Sequence, residues 1–123
     1  MTKINLSEKF GQISQHWTPR ILGELNGQHV KLVKFAGEFV WHHHEHEDEL
    51  FLVVNGEFTM EYRDAEGAEH SISLREGELL IVPKGTKHRP VAAAEVSVLL
   101  FEPAGTLNTG NAVDSQLTVQ TQR

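Results

Sequence analysis

Turn signals cut this chain at intervals too short for helices to fill. Asn26-Gly27, Asn55-Gly56, the Asp64–Gly67 quartet and Pro83-Lys84-Gly85 supply residues that tolerate positive φ, or a proline that presets it. Between them the hydrophobic pattern has period two. Over residues 57–62, Phe58, Met60 and Tyr62 fall on one face, and Glu57, Thr59 and Glu61 on the other. Stretches 21–25, 29–35, 38–44, 49–54, 70–74, 79–82, 88–93 and 96–102 read as further strands, with Asn26-Gly27 and Asn55-Gly56 as hairpin turns. The pattern predicts about nine or ten strands of the usual length. In a chain of 123 residues that implies an all-β fold, a sandwich or barrel whose size suits a jelly roll. Residues 1–16 break the pattern. Leu6, Phe10 and Ile13 recur at helical spacing behind Asn5 or Ser7 as a cap, so a short N-terminal helix is expected. Residues 17–102 form the expected barrel. Residues 103–123 are polar and read as a tail outside the core, leaving one domain.

Charge and cysteine usage narrow the function classes. Eleven basic against 17 acidic residues give a net charge of −6, which disfavours nucleic acid or anionic membrane as a partner. With no cysteine, disulfides, thiolate catalysis and sulfur-ligated zinc or iron are excluded. The opening residues lack the apolar core of a signal peptide, and no apolar run could span a bilayer. A soluble, cytoplasmic protein is expected. Histidine is the outlier, with 8 copies, four of them within residues 42–46.

On a strand, His42 and His44 share a face and His43 takes the other. Glu49 follows after room for a short turn, so a neighbouring strand can bring its carboxylate beside the two imidazoles. Two neutral imidazoles and a carboxylate suit one divalent transition metal ion: iron, manganese, nickel or zinc. A fourth ligand must come from elsewhere, and His88, beginning a strand after the Pro83–Gly85 turn, is the best candidate. His46 is a rival, because His44 and His46 repeat the same spacing, or else it stands at the rim behind the ligands. His16, His29 and His70 stand alone and read as surface or core residues. Parity puts Val40 with the histidines and Phe51 and Val53 with Glu49. It leaves Phe58, Met60 and Tyr62, and Leu79 and Ile81, as inward sets. Val40, Phe51, Met60 and Tyr62 are thus candidate pocket walls around one polar centre.

The full spacing is Gly37-x4-His42-x-His44-x4-Glu49-x6-Gly56, then Gly77-x5-Pro83-x-Gly85-x2-His88. Together these resemble the two signature motifs of the cupin superfamily. The second motif keeps every element at the family spacing, while the first has one residue fewer after its opening glycine. The family often has Asn four residues beyond the second-motif histidine, where this chain has Ala92. The resemblance implies a cupin-type jelly-roll β-barrel of the small single-domain kind. It also implies a metal on His42, His44, Glu49 and His88.

Cupins with this ligand set resemble dioxygenases, isomerases and lyases, so a metal-dependent enzyme acting on a small organic molecule is expected. Fold alone does not choose among these reactions. The alternatives are a non-catalytic barrel that binds a metal or small ligand, and a metal-free barrel. Residues 1–16 are too short for a helix-turn-helix, which sets a DNA-binding regulator aside. Edge strands that need covering, and the habit of single-domain cupins, point to a homodimer.

Overall fold

The computed structural model describes residues 1–112 and 117–119. Helix α1 (Leu6–Gly11) starts where Asn5 Oδ1 accepts the Glu8 N–H at 3.0 Å, a side-chain cap for an otherwise orphaned donor. Its Phe10 and the following Ile13 bury against Leu32, with Leu22, Val54 and Leu99 around them. The helix therefore covers the outer face of a sheet.

Seven strands follow among the described residues: β1 (Arg20–Leu25), β2 (Gln28–Glu38), β3 (Glu49–Asn55), β4 (Glu57–Arg63), β5 (Glu69–Arg75), β6 (Leu79–Val82) and β7 (His88–Pro103). All pair antiparallel. One sheet runs β1-β2-β7-β3-β6, and β4 joins β5 to the first residues of β7. Strand β7 thus belongs to both layers and closes the cupin-type jelly roll. Its interior packs Phe35, Phe51, Phe58, Met60, Val96 and Val98 with Trp17, whose ring stacks on Phe35 and Phe39 at 4.6 Å. Among the described residues, no helix is long and apolar enough to cross a membrane.

Several strand expectations need correction. Stretches 88–93 and 96–102 are one strand, because residues 93–95 bulge out between the Gly37↔Ala92 and Phe35↔Val96 pairs. Residues 39–48 are not a regular strand, although His42 bridges to His88. Asn26 and Gly27 (φ 52° and 80°) do close a two-residue hairpin between β1 and β2. Asn55-Gly56 does not close one, since β3 pairs with β6 and β7 while β4 pairs with β5 and β7. Gly56 (φ 94°) instead turns the chain from one layer to the other.

Leu79 and Ile81 were expected inside and are outside, at 57 % and 56 % exposure. The register sets Val82 opposite Glu49 and Leu80 opposite Phe51, so β6 turns its even-numbered residues inward. Residues beyond Pro103 are not simply outside the core. Thr106 and Thr109 are buried, and Asn108 Nδ2 donates to the Leu117 carbonyl at 2.7 Å. The remainder of the expected tail, 113–116 and 120–123, lies outside the described residues.

Candidate metal centre

The loop between β2 and β3 carries His42 and His44, and two backbone ties place it. His42 and His88 exchange N–H donors for each other's carbonyls at 3.0 and 2.9 Å. The Gly85 N–H donates to the His44 carbonyl at 2.7 Å, which binds the Pro83–Gly85 turn to the loop. Glu49 opens β3 and His88 opens β7. These elements bring His42, His44, Glu49 and His88 together. One ligand atom from each lies within 4.8 Å of all the others, and all four residues are buried.

The hydrogen bonds orient the rings. His42 Nδ1 donates to the Val40 carbonyl at 2.9 Å and His88 Nδ1 to the Thr86 carbonyl at 2.7 Å. A carbonyl only accepts, so each neutral ring carries its lone pair on Nε2. His44 Nε2 stands 2.8 Å and His88 Nε2 3.4 Å from Glu49 Oε1. None of these three atoms meets hydrogen-bond geometry with a partner, although all are buried. Buried polar atoms are seldom left so, and three converging on one point is the donor arrangement a cation would satisfy.

Electrostatics agree. Burial, then the neighbouring His88, lowers His42 to about 3, so its ring is neutral and free to ligate. Burial pushes Glu49 up, but the adjoining Glu102, His44 and His88 outweigh this, holding it well below the usual carboxylate range. The group thus offers three imidazoles, that of His42 neutral, and a carboxylate that could hold a metal ion.

Comparison with known proteins places the chain. Residues 29–102 match the cupin domain family. The chain belongs to that family. A cupin-2 domain containing protein from Shewanella frigidimarina is 42 % identical, superposes with a TM-score of 0.75, and shares 81 % of this chain and 93 % of its own. An uncharacterized protein of Bacillus subtilis (strain 168), YdbB, is 43 % identical over 68 residues, or 55 % of this chain. The match spans only 57 % of that relative's length. At 18 % identity, a hydroquinone 1,2-dioxygenase from Sphingomonas sp. TTNP3 with 4-hydroxybenzoate bound has the same fold (TM-score 0.75, 85 % of this chain and 32 % of that one).

Other expected site residues of this cupin scatter. His46 does not join the cluster: its side chain is 88 % exposed and its ring lies 3.8 Å from Glu45. Phe51 lines a cavity of about 30 Å³ beside His42 and Glu49, with Trp17, Phe39 and Asn108 also on its wall. That is roughly the share of one liquid water, about 30 Å³. Val40 is partly buried against the core and lines neither this cavity nor the next. Met60 and Tyr62 line a separate, mostly apolar groove of about 470 Å³ with Ile72, Leu80 and Val82. None of the four cluster residues lines this groove, although Tyr62 pairs with His88 and Val82 with Glu49 along the strands.

Two residues escaped the sequence reading. Glu102 and Lys31 are buried at 2 % and 1 % exposure, with Lys31 Nζ donating to Glu102 Oε1 at 2.8 Å. Burial, then the charge of Glu49, raises Glu102 well above the usual carboxylate range. Their signal was parity. Glu102 continues the inward series Val96, Val98, Leu100, and Lys31 precedes Val33 and Phe35 in phase.

Proposed function

We propose that this cupin is a metal-dependent enzyme acting on a small organic molecule, with chemistry of the dioxygenase, isomerase or lyase type. One divalent transition metal ion (iron, manganese, nickel or zinc) would be held by His42, His44, Glu49 and His88. The carrying observation is the convergence of His44 Nε2, His88 Nε2 and Glu49 Oε1, all buried and without hydrogen-bond geometry. Such an ion supplies Lewis acidity to whatever oxygen or carboxylate group reaches it. The chain's own contributions are rings oriented through Nδ1, a neutral His42, and an aromatic wall of Trp17, Phe39 and Phe51 that limits water. The groove of about 470 Å³ falls in the size range of small-molecule sites and has the apolar lining to seat a substrate body. The Sphingomonas dioxygenase of this fold holds 4-hydroxybenzoate, a molecule of that size class. A homodimer is part of the same reading: β1, β5 and β6 pair on one side only among the described residues, and Leu79 and Ile81 are exposed.

The water-sized cavity at the cluster favours a second reading, a cupin that binds metal or a small ligand without turnover. Elemental analysis of untagged protein, beside a His42→Ala/His88→Ala variant, tests the first. Near-stoichiometric transition metal that disappears in the variant is expected. Oxygen uptake and isomerase or lyase screens on the loaded protein then separate enzyme from binder. No metal, even after soaking in each ion, would overturn the enzyme reading.

A further inference from the structure

A lysine and a second glutamate sit inside an apolar barrel where neither serves packing. Lys31 and Glu102 stand on adjacent strands β2 and β7, diagonal across the Lys31↔Leu100 and His29↔Glu102 pairs. Lys31 Nζ donates to Glu102 Oε1 at 2.8 Å and reaches the Thr106 carbonyl at 3.4 Å, which clamps one edge of the Glu102 carboxyl. The other edge, Oε2, meets no further partner and is buried. Glu102 also lines the small cavity together with Glu49 and His42, and the Leu50↔Phe101 pair sets the two glutamates across from each other on β7 and β3. The chain of contacts therefore runs from Lys31 through Glu102 to the carboxylate of the metal cluster.

Buried ionisable pairs of this kind give little net stability. Their desolvation cancels most of the attraction, and apolar residues of similar volume commonly do as well or better. A pair retained at that cost has its use elsewhere. Carboxylate ligands are themselves hydrogen-bonded by residues behind them, and loss of those partners weakens metal binding about 10–100-fold. We propose that Lys31 and Glu102 are positioning residues for the metal: Lys31 fixes Glu102, and Glu102 fixes the carboxylate of Glu49 toward the three imidazoles. The proposal rests on the metal-centre reading above and adds two residues to it.

The test uses the full chain, stripped of metal, titrated with zinc against a chromophoric chelator and with cobalt by visible absorption. Three proteins are compared. Lys31→Met/Glu102→Leu replaces the pair with apolar residues of similar length. Glu102→Gln keeps an acceptor for Lys31 and a polar group of the same size beside Glu49. The double variant is expected to bind zinc at least about tenfold more weakly and to shift the cobalt spectrum. Its metal-free Tm should stay equal to or above that of the wild type. Glu102→Gln should retain near wild-type affinity and spectrum. Unchanged zinc affinity in the double variant, or a Tm that falls in step with affinity, would overturn the positioning role and leave the metal centre standing. Failure of Glu102→Gln to rescue would overturn a polar contact between residue 102 and Glu49 as the link. Wild-type protein that takes up neither metal would overturn the metal reading, and this proposal with it.

Discussion

At the residue scale, His42 sets a sign for the effect of acid. In metal-free protein its ring stays neutral down to about 3, whereas an unfolded chain takes up the proton near 6.5. Between those values the unfolded state binds more protons, so stability is full above about 6.5 and declines as pH falls toward 3. Glu49 works in the same direction. Its folded value lies below the ordinary 4.5, so its contribution is present above 4.5 and is lost below it. Thermal melts in chelator, stepped down from neutral pH, should show this loss beginning before carboxylates titrate. His42→Gln should flatten the upper part of the curve. Parallel curves for the two proteins would mean that His42 is not held neutral by burial. His46 carries the opposite expectation: being 88 % exposed, its replacement by Ala should leave metal content and Tm unchanged in the same assays.

At the element scale, the corners between layers carry more constraint than the hairpins. Gly56 has φ 94°, and a Cβ there would lie 3.1 Å from the Glu95 carbonyl and 3.2 Å from Val96 Cα. Both neighbours are backbone atoms of β7, and the positive φ already strains any side chain at this position. Gly56→Ala should cost about 1–3 kcal/mol, read from the urea midpoint at unchanged m-value. Gly11, at the end of α1, has open space around it and no positive φ. Gly11→Ala should be neutral or gain up to about 1 kcal/mol. A similar loss at both positions would mean that the corner has no special geometry.

At the scale of the whole molecule, the proposed metal binding would be linked to folding, because the four cluster residues come from β3, β7 and the loop between β2 and β3. No such group exists in an unfolded chain. At free metal about a hundredfold above Kd, the folded state should gain about 2.7 kcal/mol, seen as a raised Tm that chelator reverses. The His42→Ala/His88→Ala variant should show no metal-dependent rise. Light scattering tests the assembly: a homodimer should weigh twice the 13.8 kDa chain, and Ile81→Lys on the exposed face of β6 should shift it toward monomer. A wild-type mass of one chain would remove the dimer.

The sequence by itself determined what depends on near neighbours. Turn chemistry at Asn26-Gly27 and Asp64–Gly67, the cap at Asn5, and period-two alternation through Glu57–Arg63 are local preferences, and all appear in the structure. His42, His44, Glu49 and His88 were legible because a motif preserves spacing, and spacing on strands decides which side chains can meet. Tertiary structure alone decided the rest. The run Leu79-Leu80-Ile81-Val82 has no polar residue to mark its outer face, so only pairing with β3 turned Leu80 and Val82 inward. Asn55-Gly56 has the local chemistry of a hairpin, but its strands go to different layers, because they pair with different stretches of β7, β3 with residues 97–101 and β4 with residues 88–91. His46 keeps the ligand spacing, yet it lies past the backbone ties at His42 and His44, and water reaches it. Lys31 and Glu102 are 71 residues apart in sequence and meet only across the β2–β7 ladder. Local preferences act through the few dihedrals and side chains next to a residue, whereas burial depends on which distant strand arrives opposite it.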